Sequence, residues 1–253
     1  MYSTKANVSS NVRKLVLIGI LGALTVVLGL TPLGFIPLGP VSATTLHIPV
    51  IVAGIIEGPI VGALVGLIFG LSSLFNAITK PTPTSFMFYN PLISILPRVL
   101  IGVVSYYVYN ALKNGSDKRI KIMLNLIWAG IIGFLCYGLY TAISAGDNYK
   151  TGVNTVFIIS SSVLAFLMNK SVHNNFAIAV SAFTGSFTNT VLVLGGISLF
   201  YAEQFGQNLN PPISASAARS AISMIALTSG FPEGIMAVII VSAVVTAVKK
   251  SHI

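Results

Sequence analysis

Apolar residues dominate this chain in long, nearly unbroken runs, and polar residues gather in short segments between them. The runs fall at about residues 15–30, 44–56, 60–78, 90–112, 122–144, 153–168, 176–200 and 231–248. Most approach the ~20 residues with which an α-helix crosses a bilayer, and none alternates as a membrane β-strand does. The pattern predicts an all-α integral membrane protein of about eight spans, a single transmembrane domain over residues 1–253. Breakers set the ends of the runs. "TPLGFIPLGP" (31–40) is too rich in proline and glycine for regular helix, and "EGP" (57–59) makes a turn. "FPEG" (231–234) opens the last run, with Pro232 suited to a first helical turn. Residues 213–230 fit either an outer helix or the upper part of that last span.

Composition sharpens this picture. Hydrophobic residues make up 55% of the chain and charged residues 8%, against about 25% charged in a soluble domain, so the chain lacks the polar surface of a globular protein. The net charge of +9 arises from short loops. With the N-terminus in the cytoplasm, Lys5, Arg13, Lys14, Lys113, Lys118, Arg119, Lys121, Lys170, Lys249 and Lys250 are inside, while Lys80 and Lys150 are outside. That asymmetry predicts a multi-pass protein of the cell membrane with both termini cytoplasmic. No aromatic residues interleave with the basic ones, so no nucleic-acid partner is expected. Arg13 and Lys14 before an apolar run, with "VSA" at 41–43, have the outline of a signal peptide. Pro32, Pro37 and Pro40 separate the two parts, so the first span is expected to be retained. The single cysteine, Cys136, rules out an internal disulfide and reads as a small buried side chain.

Two stripes of small residues stand out. Gly62, Gly66 and Gly70 share one face of the third span, and Gly19 and Ala23 share one face of the first. Such faces let membrane helices approach closely, either within the chain or against a partner subunit.

Polar groups inside the runs are the candidates for chemistry. Arg98 lies about 12 Å along a helix from Asn90, at a depth where an arginine costs about 2.5–3.5 kcal/mol to insert. Asn90, Ser94, Arg98 and Gly102 are four apart and predict one polar stripe, with Tyr89 just before it. Arg98 either pairs with a helix C-terminus, Glu57 or Glu233, or holds an anionic or strongly polar ligand in a cavity open to the outside. Ser181, Thr184 and Thr188 share a face, with Asn189 beside them in "GSFTNT" (185–190), and offer directional hydrogen bonds. These groups serve either a ligand or contacts between helices. His47 either binds ligand or caps local backbone. Glu233, in the expected first turn of the last span, is favoured there by the helix dipole alone. Arg219 and Lys80 are expected on the outer surface.

Several motifs are missing. There is no "GxxxxGK[ST]", no "HExxH", no cysteine–histidine set and no "GxSxG". The chain is therefore expected to bind no cofactor or metal and to be no enzyme.

The blocks "TTLHIPVIVAGIIEGPIVGALVGLIFGLSSL" (44–74), "NPLISILPRVLIG" (90–102), "GSFTNTVLVLGG" (185–196) and "FPEGIMAVIIVSAVV" (231–245) resemble the substrate-binding S component of energy-coupling factor (ECF) vitamin transporters, most of all the pantothenate-type group. The resemblance implies a six-helix core that captures a vitamin from outside and topples within the membrane. It implies as partners a transmembrane coupling subunit and two ATPase subunits, which would use the ATP. The chain departs from the family in having about fifty extra residues, read as an inserted two-helix hairpin at 122–174. Gly19 and Ala23 would then form the docking face. His47, Tyr89, Asn90, Ser94, Arg98, Thr188, Asn189 and Glu233 would bind substrate, with the segments 31–43 and 79–89 as lid. Pantothenate suits Arg98 through its carboxylate. Folate, cobalamin or another vitamin remains an alternative. From other classes, a membrane enzyme lacks a visible acid–base or metal set, and a stand-alone secondary transporter should show inverted repeats.

Overall fold

The computed structural model describes residues 2–31, 34–38, 41–113, 117–144, 146, 148–170, 175–209 and 211–250, and forms two compact units, Met1–Asn110 with Ile178–Ile253, and Ala111–Ala177. The first unit begins with helix α1 (Tyr2–Leu30), which includes the polar N-terminal residues expected to precede the span. No proline or glycine interrupts residues 2–18, so nothing in the backbone stops the helix there. A short antiparallel hairpin follows, β1 (Phe35–Leu38) paired with β2 (Val41–Thr44). The fold is thus helical apart from this hairpin, where closely spaced prolines exclude helix but permit two strands that have no further neighbours.

Helices α2 (Ile48–Glu57) and α3 (Pro59–Thr79) come next. Gly58 turns the chain between them at φ +98°, a region open to glycine, and Pro59 starts α3. After a 3₁₀ turn (Ser85–Tyr89), α4 (Pro91–Ser94) and α5 (Leu96–Lys113) form one broken span. Helix α8 (Asn175–Phe200), the short α9 (Ala202–Gln207) and α10 (Ala215–Lys250) complete this unit.

Helix α10 decides the placement of residues 213–230. They do not form a separate helix, because the last span is one helix of 36 residues with Pro232 in its interior rather than in its first turn. At 1.5 Å per residue it is about 54 Å long, well beyond the ~30 Å of hydrocarbon in a bilayer, so part of it stands outside the apolar core.

The unit is held together by backbone contact at glycines. A methyl group on Gly62 would lie 2.8 Å from the Cα of Gly54 and 3.0 Å from the Cα of Gly102, so α2, α3 and α5 meet with no side chains between them. Gly66 abuts the backbone of Arg98 and Val99, and Gly70 that of Ser94 and Ile95. The stripe on α3 therefore serves internal packing. Gly185 brings α8 against Ser105 and Ile51, while Gly230 and Gly234 bring α10 against Thr190 and Phe183. On α1 the inward contacts are made by Gly22 against Ile68 and Gly29 against Leu46, and Gly19 has nothing within 4 Å of an added methyl. Arg13 and Glu57 close the same end of the unit with an ion pair of 2.8 Å.

The second unit is the antiparallel pair α6 (Asp117–Ser144) and α7 (Asn148–Lys170). Trp128, Leu135 and Ala142 are buried at seven-residue spacing on α6, as are Asn154 and Ser161 on α7, the pattern of a two-helix seam. Cys136 lies off that seam and is exposed rather than buried, because the position next to Leu135 turns about 100° away.

Among the described residues, five segments are long and apolar enough to cross a membrane: Asn11–Leu30, Pro59–Thr79, Pro91–Lys113, Phe176–Phe200 and Ala215–Lys250. Ile48–Glu57, Trp128–Ser144 and Asn154–Val163 are shorter apolar helices. Their outward faces are apolar as well: Leu15, Ile20 and Val27 of α1, Phe75 of α3 and Leu199 of α8 are all more than half exposed, as expected of surfaces that meet lipid rather than water.

Candidate ligand-binding site

The span that carries Arg98 is broken for a local reason. Asn90 is the N-cap of α4, its side-chain oxygen accepting from the Leu92 amide at 3.0 Å, and Pro91 occupies the first helical position. The helix loses regularity at Ile95, two residues before Pro97. Proline has no amide hydrogen, so the carbonyl four residues earlier, on Ile93, loses its usual donor. The guanidinium Nη1 of Arg98 donates to that carbonyl. The stripe expected from Asn90 to Gly102 is therefore not one face of a regular helix. Asn90 caps it from outside, Ser94 donates back to the Asn90 carbonyl at 3.1 Å, and Gly102 is spent on packing against Gly62.

Arg98 is 6% exposed and lies between two rings, with its guanidinium carbon 5.4 Å from the centre of Phe69 and 5.6 Å from that of Phe88. Both contacts suit a buried cation. Its Nε is buried and has no hydrogen-bond partner among the described residues. Glu233 on α10 is the opposite charge. Among the described residues the direct ion pair is Arg13 with Glu57, while Arg98 and Glu233 act on each other through space.

Glu233 lies deep within α10, so the dipole of a helix end does not stabilise it as expected from its apparent first-turn position. Hydrogen bonds do so instead. Oε1 accepts from the Thr44 amide at 3.0 Å and the Thr44 hydroxyl at 2.9 Å, and Oε2 from the Thr190 hydroxyl at 3.5 Å. The carboxylate thus ties β2 and α8 to α10. Opposite charges beyond direct contact, each held by dipoles, make buried ionisation tolerable.

The other expected residues divide into two groups. His47 is 1% exposed at the start of α2, forms no side-chain cap, and neither ring nitrogen has a hydrogen-bond partner among the described residues. The Oδ1 of Asn189, next to Thr190, is likewise buried and unpartnered. These are polar groups whose hydrogen-bonding capacity is unused, and a buried unsatisfied group costs about 1–3 kcal/mol. Thr188, by contrast, donates to the Thr184 carbonyl of its own helix at 2.7 Å. Asn90 Nδ2 donates to the Tyr201 hydroxyl at 3.5 Å, and Tyr89 is about half exposed. Asn90 thus reaches the residue that joins α8 to α9.

An apolar cluster joins both halves of the unit. Met87, Ile93, Val193, Ile197 and Ile222 form a buried apolar cluster, and Phe86 packs edge-on against Tyr201 with ring centres 5.8 Å apart. Beside the charged centre, Phe183, Phe187 and Phe231 pack ring against ring at 5.9–6.3 Å. Thr44, Thr190, Phe69, Phe88 and Tyr201 were not singled out from the sequence. Thr190 sits in "TNT" and Thr44 next to His47, but aromatic residues within apolar runs give no sign of which ones face a charge.

Among the described residues, the first unit thus holds a buried, charged and aromatic-lined centre beside an apolar cluster. The comparisons specify the class. A family model described as ECF transporter, substrate-specific component, matches residues 13–245, and the chain belongs to that family. It is 28% identical over 227 residues, 84% of this chain and 81% of the relative, to the pantothenic acid transporter PanT of Lactococcus lactis subsp. cremoris.

Proposed function

We propose that this chain is the substrate-capturing subunit of an ATP-driven importer and that its substrate is pantothenate. Membership of the substrate-specific family and similarity to a pantothenic acid transporter support the class and the first choice of vitamin. The observation that carries the ligand assignment is the unused edge of Arg98. A carboxylate fits that edge, while the amide and hydroxyls of pantothenate suit Asn189 Oδ1 and the ring nitrogens of His47.

In this reading the hydrolysing sites lie on two partner ATPase subunits, joined through a transmembrane coupling subunit, and this chain itself binds neither ATP nor metal. The chain is a transport subunit rather than an enzyme, in the cell membrane with both termini cytoplasmic. The six-helix core is the first unit, and α6 with α7 is an inserted hairpin that crosses the membrane and returns, for eight spans in all. The separate packing of Ala111–Ala177 supports such an insertion. With Cys136 replaced by serine, a cysteine at Asn148 should then react with an impermeant reagent from outside. Labelling from the cytoplasmic side sinks the hairpin.

Titration of the purified protein with a panel of water-soluble vitamins tests the main reading. Pantothenate should bind without ATP, and liposomes containing this chain alone should not accumulate it. Arg98→Lys keeps the charge but loses the planar fork, and should weaken binding by about 1–3 kcal/mol. Preferential binding of folate or cobalamin would replace the vitamin while keeping the class. ATP-dependent accumulation by this chain alone would remove the class.

A further inference from the structure

Pro97 is fully buried, sits next to the charged centre and has no polar side-chain atom. Its effect is on hydrogen-bond supply. An ordinary residue at position 97 would place an amide hydrogen on the Ile93 carbonyl, in the normal helical pattern. Proline withholds it, and Arg98 Nη1 takes its place. One end of the guanidinium is thereby fixed to the backbone, and the aromatic contacts to Phe69 and Phe88 restrict it further. Nε, buried and unpartnered, belongs to the edge that points away from the occupied Nη1. Through Nε and Nη2 that edge presents two parallel donors, the geometry that receives a carboxylate in bidentate fashion.

We infer that Pro97 is a positioning residue for ligand capture. By leaving the Ile93 carbonyl open, it anchors Nη1 of Arg98 and aims the Nε–Nη2 edge at the ligand's carboxylate. This rests on the proposal that the ligand is a carboxylate held by Arg98. Gly66 and Gly70 of α3 fit against the backbone of residues 94–99, so the span is packed by α3 on both sides of position 97. Restoring the amide hydrogen at position 97 would let the backbone satisfy Ile93, release Nη1, and leave the guanidinium free to turn.

The test compares the wild type with Pro97→Ala and Pro97→Val, both of which restore the amide hydrogen, the first smaller and the second larger than proline. Each protein is titrated with pantothenate and with its neutral alcohol analogue, pantothenol. Both variants should bind pantothenate about tenfold more weakly, the worth of one charge-assisted hydrogen bond, and pantothenol less than twofold more weakly. The preference for the carboxylate should therefore collapse while the site still recognises the rest of the molecule. Wild-type affinity in both variants overturns the inference. So does an equal loss for both ligands, which would mean that Pro97 only shapes the helix, and so does a loss confined to alanine, which would point to packing. If the wild type binds another vitamin but not pantothenate, the functional reading fails first and this inference fails with it.

Discussion

Two stripes of small residues, alike in sequence, have opposite surroundings in this protein. On α3, Gly62, Gly66 and Gly70 lie against the backbones of α2, α4 and α5, where a single added methyl would collide with main-chain atoms. On α1, Gly19 and Ala23 are exposed, and an added methyl on Gly19 meets nothing within 4 Å. The helix carrying them does pack inward, but through Gly22 and Gly29 on another face. A small-residue stripe thus encodes close approach without encoding what approaches. In α3 the need is met inside the chain, and its result is the placement of Arg98. In α1 no described residue meets a methyl added at Gly19, and we propose that Gly19 with Ala23 is the face for a partner subunit.

The comparison can be broken by filling each stripe in turn. Gly62→Leu should have the largest effect. Overpacking typically costs about 1–3 kcal/mol, and here the clash is with the backbones of two helices, so the protein should fail to accumulate in membranes. Normal expression with an unchanged melting temperature would contradict the packing of α3. Gly66→Ala should come next. Its methyl would press on the Arg98 carbonyl and lie 3.0 Å from the Val99 Cα, so α5 must shift. Stability should fall by about 1–3 kcal/mol, and pantothenate affinity should fall with it while the folded protein can still be purified. Destabilisation with unaltered affinity would separate the stripe from the site.

The double variant Gly19→Leu with Ala23→Leu should have the smallest effect on the isolated chain. Exposed substitutions usually change stability by no more than about 0.5 kcal/mol, and ligand binding should be unaffected. Co-purification with the coupling subunit should nevertheless be lost. Retained association would place docking elsewhere, and a large drop in melting temperature would show that the α1 face is internal after all.

The charged centre shows where sequence reasoning reached and where it stopped. Arg98 was recognisable because an arginine deep in an apolar run is costly enough to require a reason. Glu233 was visible too, but for a different reason than its actual one. The pattern "FPEG" looks like the start of a helix, and only the continuity of α10 shows Pro232 and Glu233 to be in its interior. The four-residue spacing of Asn90, Ser94 and Arg98 predicted one face, yet the cap at Asn90 and the break at Ile95 distribute these residues over different tasks. Helical periodicity assumes an unbroken helix, and a proline removes that assumption.

Composition and the length of the apolar runs determined that the chain is helical and belongs in a membrane, because lipid leaves few solutions for the backbone. The same runs, with their buried charge and their four characteristic blocks, pointed to the ECF substrate-specific family that the comparison establishes. Only the tertiary structure decided which small-residue stripe is filled and which is open, that α10 is continuous, and that Thr44 and Thr190 hold Glu233. Burial in lipid depends on the average polarity of a segment and is written locally. Contact between residues as distant as Thr44 and Glu233 depends on how helices cross, which is set by the shapes of several segments together.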